Sequence, residues 1–274
     1  MSKKTKKTNP FADLPEYSAV VADIETAPAV VDMYGSTWKP TIVGIRSESF
    51  ILSCSFLDLK TGKRKHLQLP DYSRHTTFTE KSDKRLVRAI VKELNKYKMI
   101  IGHNIVGYDI PTINARSFVH QVKPVSVQHT LDTLTAARGL RFASKKMDHL
   151  CKQLEIGQKV EHQGVNLFKL AAASRSPKIW AMIKKYNDGD VMINRDLYEL
   201  LIPYLKKHPN ISIVDESMRC VACSTSFDDV TPKKNGFRET AKGKYQKYIC
   251  GNCGAPNIGN TNLLTKEQRL VRLK

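Results

Sequence analysis

Ser18-Ala-Val-Val-Ala-Asp23-Ile-Glu25 is the stretch on which the reading of this chain turns. It reads as a short buried strand that ends in two carboxylates. Side chains alternate along a strand, so Asp23 and Glu25 share one face. Two carboxylates so close repel each other unless a cation lies between them, and a bound metal supplies that charge. Asp-x-Glu also recurs by chance in many proteins. Its meaning therefore depends on what the rest of the chain adds.

Outward from this strand, Thr41–Arg46 and Ile51–Leu59 are rich in β-branched and apolar residues, as further strands are. Thr61-Gly62-Lys63 reads as a hairpin turn with Arg64–Leu69 returning, which predicts an antiparallel meander. Glu80–Tyr97 places Leu86, Ile90, Val91 and Leu94 at helical spacing. Met99–His103 is a compact apolar strand. Asp109–Gln121 follows as a helix with Pro111 in its first turn. Gln128–Gly157 reads as mostly helical. Lys178–Lys207 is helical again, with a break near Gly189 and a kink at Pro203. This order predicts an α/β domain with a mixed central sheet flanked by helices. The expected boundaries are a disordered basic tail over 1–16, the α/β domain over 17–210 and a small cysteine-bearing module over 218–274.

The chain has 274 residues, 41% hydrophobic and 26% charged, which is ordinary globular composition. Its formal net charge of +19 is not ordinary. So basic a surface attracts polyanions, because each neutralised phosphate releases condensed counterions, and nucleic acid is the first partner to expect. No apolar run approaches the roughly 20 residues of a membrane span. The lysine-rich N-terminus has no apolar stretch of a secretory signal, so a cytoplasmic protein is expected.

Two further segments carry carboxylates. Asn104-Ile-Val-Gly-Tyr-Asp109 follows the Met99 strand and opens a helix; Asp109 suits either a site or a helix N-cap. Tyr186-Asn-Asp-Gly-Asp190 puts a phenol and a carboxylate four residues apart, on one face if helical, although Asn-Asp-Gly is also turn chemistry. In chain order the motifs are Asp-x-Glu, Asn-x-x-x-Tyr-Asp and Tyr-x-x-x-Asp. In this form and order they resemble the DnaQ-like exonucleases of the DEDD superfamily, tyrosine subclass. The Leu131-Asp132-Thr133, Lys146-Met-Asp-His-Leu150 and Leu154-Glu-Ile-Gly157 stretches look like stand-alone bacterial and phage members. The similarity runs from about Ala19 to about Leu205. The histidine subclass has a His where Lys185 stands here, which favours the tyrosine subclass.

The resemblance implies an RNase H-like fold and a 3′→5′ exonuclease using two Mg²⁺ or Mn²⁺ ions, acting on single-stranded DNA 3′ ends in replication or repair. It assigns Asp23, Glu25 and Asp190 to the tighter ion. Asp23 would also bridge to a second ion that Asp109 helps to hold. Tyr186 is implied to orient the attacking water, since an unperturbed phenol is too weak a base at neutral pH. Asn104 would support the substrate. Lys145 and Lys146, like Lys184 and Lys185, are candidates to line the approach of a strand, or simply a solvated face.

Cys220-Val-Ala-Cys223 and Cys250-Gly-Asn-Cys253 are two Cys-x-x-Cys pairs among six cysteines. In a chain without an export signal this pattern favours metal over disulfides, and four thiolates enclose one structural Zn²⁺. A zinc ribbon with a hairpin between the pairs is expected. Basic residues interleaved with Phe237, Tyr245 and Tyr248 suit nucleic-acid binding, while docking of a replication or repair protein, or mere stabilisation, is equally compatible. The alternatives to the DNA exonuclease are a 3′→5′ exoribonuclease and a non-catalytic nucleic-acid adaptor on the same fold. An RNase H-like endonuclease ranks below them, because it would lack the Tyr186/Asp190 pairing.

Overall fold

The computed structural model of the chain describes residues 18–35, 40–157, 164–205, 208–210, 218–223 and 225–271. The expected tail over 1–16 lies outside the described residues. In chain order the elements are β1 (Ala19–Ala27), β2 (Val30–Tyr34), β3 (Thr41–Ser47), β4 (Phe50–Asp58), β5 (Arg64–Gln68), α1 (Leu69–Tyr72), α2 (Lys84–Leu94), β6 (Met99–Gly102), α3 (Asp109–His120), β7 (His129–Asp132), α4 (Thr133–Ala137), α5 (Met147–Leu154), α6 (Val165–Ala173) and α7 (Pro177–Leu201). A 3-10 turn over Ile202–Tyr204 follows, then β8 (Lys233–Thr240), β9 (Gly243–Ile249), β10 (Pro256–Ile258) and α8 (Lys266–Val271). Two compact units emerge: Ser18–Leu197, and one that contains Tyr198–Lys274. No described helix is long and apolar enough to cross a membrane.

The first unit is built on a five-stranded sheet of order β5-β4-β1-β6-β7. β1, β4 and β5 pair antiparallel, whereas β6 and β7 run parallel to β1, giving the mixed sheet that the sequence predicted. Its core joins Val20, Ala22 and Ile24 of β1 with Ile51, Leu52 and Phe56 of β4 and with Leu86, Val87 and Ile90 of α2. Burying each such aliphatic side chain contributes about 1.5–3 kcal/mol, and that is what fixes β1 at the centre. α2 starts later than its periodicity suggests because Asp83 is fully buried. Its carboxylate accepts from Ile51 N, Arg116 Nε (3.0 Å) and Arg116 Nη2 (2.9 Å), and lies 2.5 Å from His120 Nε2.

Three expectations are corrected. Thr41–Ser47 is a strand but not part of a meander in the main sheet: it pairs with β2, a strand the sequence reading missed, in a separate two-stranded ribbon. Gln128–Gly157 is not mostly helical, because His129–Asp132 extends the parallel sheet beside β6. α7 is unbroken at Gly189. A glycine costs a helix about 1 kcal/mol, and here buried hydrogen bonds on either side of it offset that. The chain leaves α-helical geometry only at Ile202, with Pro203 inside the 3-10 turn.

In the second unit β8, β9 and β10 form a three-stranded antiparallel sheet of order β10-β9-β8. Its buried apolar side chains between Met218 and Val271 are small, namely Cys220, Ala222, Cys223, Cys250 and Ala255.

Candidate active site

Asp23 faces Ser55 across the β1–β4 ladder and Glu25 faces Ser53, so all four side chains lie on one face of the sheet. The next strand continues the rows, with His66 opposite Ser55 and Gln68 opposite Ser53. A β-bulge follows Glu25, where the register slips from Ser53 to Ile51. Bulges of this kind re-aim side chains and favour functional positions. Beneath an otherwise apolar strand, Ser53 and Ser55 are completely buried. Their alternation in Phe50-Ile-Leu-Ser-Cys-Ser-Phe-Leu57 is the signal that sequence reading passed over.

α7 lies on this polar strip and is pinned to it. Asn187 Nδ2 donates to Asp23 Oδ2 (2.7 Å) and to the Asp23 carbonyl (3.1 Å), while Asn187 Oδ1 accepts from Ser53 Oγ (3.1 Å). Ser55 Oγ donates to Asp188 Oδ1 (2.7 Å), and Lys184 Nζ donates to Asp188 Oδ2 (2.9 Å). Burial works against the charge on Asp188, but hydrogen bonds from His66, Ser55 and Lys184 outweigh it and hold the carboxyl well below its usual range. Further along, Asn194 Oδ1 accepts from Oγ1 of Thr133 (2.8 Å), the first residue of α4. Asn187, Asp190 and Asn194 thus form a buried polar stripe at helical spacing.

This docking brings Asp190 to the strand carboxylates. Single donor oxygens of Asp23, Glu25 and Asp190 all lie within 4.8 Å of one another. Tyr186 sits one turn before Asp190, buried, with its ring edge-on to Phe168 at 6.2 Å between centroids. A set of carboxylate oxygens gathered this closely matches the hard donors that Mg²⁺ and Mn²⁺ take.

Asp109 is placed differently, outside that group of three. The parallel β1–β6 ladder stops at Val21 and Ile101. Beyond it, Ile24 N donates to Asp109 Oδ1 (3.1 Å), so the side chain stands in for the missing strand between the two carboxylate positions of β1. Asp109 is 4% exposed, and burial raises its pKa to about 7, with the charge of Asp132 adding to the rise. Asn104 adopts a left-handed backbone (φ 67°), and its carbonyl accepts from Gly107 N and Tyr108 N. Asp132 accepts from Asn104 N and Val106 N while capping α4, which sets the loop that presents Asp109. Tyr108, quoted in the sequence motif without a role, has its hydroxyl 2.7 Å from Thr26 Oγ1. Lys145 and Lys146 lie ahead of α5, where Lys146 takes the N-cap position.

In the other unit all four thiols of Cys220, Cys223, Cys250 and Cys253 cluster. The Sγ atoms of Cys220 and Cys253 are 3.6 Å apart, and those of Cys223 and Cys250 are 3.8 Å apart. Four sulfurs about 2.3 Å from a tetrahedral Zn²⁺ stand roughly 3.8 Å from each other, so the cluster has the size of a structural zinc site. Asn257 Nδ2 donates to Cys220 Sγ (3.5 Å) and Asn252 Nδ2 to Cys223 Sγ (3.8 Å), contacts that favour thiolate. The four thiols titrate together: hydrogen bonding from Cys223 draws Cys220 down, while Cys223 and Cys253 are held up by their neighbours.

No curated protein matches the chain. Among solved structures, the family B DNA polymerase of the hyperthermophilic archaeon Pyrobaculum calidifontis is similar in fold, with a TM-score of 0.50 and 15% identity over 69% of this chain. The match takes in 25% of that polymerase, so this chain spans about a quarter of its length. The sequence profile of the RNase H superfamily matches residues 46–202, which include Asp109, Tyr186 and Asp190 but begin after Asp23 and Glu25. With more than half of its length matched by that profile and the mixed sheet in place, this chain belongs to the RNase H superfamily.

Proposed function

We propose that the chain is a metal-dependent 3′→5′ exonuclease that hydrolyses phosphodiester bonds at single-stranded DNA ends. The observation that carries this reading is the convergence of Asp23, Glu25 and Asp190, far apart in sequence, on one face of an RNase H superfamily core. Hydrolysis requires water to attack phosphorus in line with the leaving oxygen, against the negative charge of the phosphate. Divalent ions bound at such a site acidify the water and absorb the charge that develops as the phosphorus–oxygen bond breaks. Asp23, Glu25 and Asp190 would hold them. Asp109 anchors β1 between its two carboxylates and supports a second ion. Tyr186, with its ring fixed by Phe168, aligns the attacking water by hydrogen bonding. The net charge of +19 draws the polyanion in. The four cysteines hold one structural Zn²⁺.

Incubation of 5′-labelled single-stranded DNA, and of the matching RNA, with Mg²⁺ or Mn²⁺ tests the proposal. The expected result is a ladder that shortens from the 3′ end, disappears with EDTA and is absent for Asp23→Ala. Ladders on RNA alone would make the enzyme an exoribonuclease. Tight binding of both strands with no cleavage would overturn catalysis in favour of an adaptor.

A further inference from the structure

Beneath Asp23 the hydrogen bonds are more specific than helix packing requires. Both amide N–H groups of Asn187 are spent on one residue, the first on the Asp23 carboxylate (2.7 Å) and the second on its carbonyl (3.1 Å). The remaining acceptor, Asn187 Oδ1, takes the hydroxyl of Ser53, the residue that faces Glu25 across the ladder. Asn187 and Ser53 are both 0% exposed. The amide is therefore a bridge whose three bonds refer the Asp23 side chain to its own backbone and to the strand position beside Glu25.

We propose that Asn187 is a positioning residue for the divalent cation, holding Asp23 in the orientation in which it meets Glu25 and Asp190. The proposal rests on the function argued above. Its physics is simple. Three carboxylates whose oxygens lie within 4.8 Å repel one another before an ion arrives, and a strand aspartate relieves that repulsion by rotating away. A buried amide bonded to one Asp23 oxygen opposes the rotation and disperses part of the charge. The ion then meets a site that is already formed and does not have to order it, as partners behind a metal ligand do elsewhere. Asn187 itself touches neither ion nor substrate in this scheme.

The test is Mn²⁺ binding to the full-length, zinc-loaded protein, followed by electron paramagnetic resonance and calorimetry, with cleavage measured across the same Mn²⁺ range. Asn187→Leu keeps the branched shape and the number of side-chain heavy atoms and removes all three bonds, while Ser53→Ala removes one. Asp190→Asn reports on the site itself. Asn187→Leu is expected to fold and to bind Mn²⁺ about 10- to 100-fold more weakly, with its cleavage rate recovering toward the parent's at saturating Mn²⁺. Ser53→Ala should lose affinity in the same direction, by less. Unchanged Mn²⁺ affinity in folded Asn187→Leu would overturn the proposal, as would weakened activity that no concentration of Mn²⁺ restores. Should Asn187→Leu not fold, unchanged affinity in Ser53→Ala overturns it. A parent that binds Mn²⁺ no better than Asp190→Asn would instead sink the cation site, and with it the proposed function.

Discussion

The carboxylate cluster and the cysteine cluster solve the problem of gathering like charges in opposite ways. Asp23, Glu25 and Asp190 are delivered by elements that a large apolar core has already fixed, with Val20, Ile51, Leu86 and Ile90 all fully buried. A buried amide, itself braced by a buried hydroxyl, then holds the Asp23 side chain. The cysteine-bearing stretch from Met218 to Val271 has no such frame among its described residues. Its buried apolar side chains are alanines and cysteines, too small to offset the conformational entropy of ordering the chain. One site is a consequence of the fold, and the other stands where a core would be.

Four experiments would break or sharpen this contrast. The largest effect is expected from stripping zinc, or from Cys220→Ser. Hydrogen exchange should show protection lost through β8, β9 and β10 while β1, β4 and β6 stay protected, since structural zinc contributes of order 10 kcal/mol to folding small domains. Equal loss in both units would deny the contrast. Next, Asp23→Ala is expected to abolish cleavage at nearly unchanged Tm, and Tyr186→Phe to lower it by about 10²-fold, the scale of a misaligned reactant.

A smaller effect concerns Asp109 in chelated protein. Its folded pKa of about 7 lies above the ordinary 3.8. Between those values the folded chain keeps a proton that the unfolded chain releases. The associated stability is complete below about pH 4 and is lost as pH rises through 7. Asp109→Asn keeps the Oδ1 acceptor for Ile24 without the charge. It should therefore raise Tm at pH 8 and change little at pH 4, as differential scanning calorimetry would show. An equal shift at both pH values would contradict the assignment. Smallest of all, Lys247→Ala on β9 should reduce the log–log salt slope of nucleic-acid binding by about one. An unaltered slope would remove that lysine from the contact.

How far the sequence could be read differs between the regions in the same sense. The cysteines were legible because metal chemistry requires their spacing. β1 and α2 were legible because hydrophobic periodicity is imposed by a buried face. β2 escaped because Val30-Val-Asp-Met-Tyr34 is largely exposed and, among the described residues, pairs with β3 alone, so no core dictates its pattern. β7 escaped because, of its four residues, only Leu131 is buried. The break expected at Gly189 followed intrinsic propensity, which the bonds of Asn187 and Asn194 override. Asn187, Ser53 and Ser55 were invisible for a further reason. A buried polar residue is defined by its partners, and those partners lie on other elements.

One of those partnerships also has a bearing in time. Asp23 and Asn187 are 164 residues apart. A chain made from its N-terminus presents β1 and its two acidic residues early, but the amide that steadies Asp23 and the carboxylate of Asp190 emerge only with α7. Contacts of such sequence separation form late, after the intervening loop is closed. On a ribosome the half-made protein would therefore be a basic polypeptide without a cation site. The cation site, and any activity that depends on it, comes into being only when the last long helix has docked.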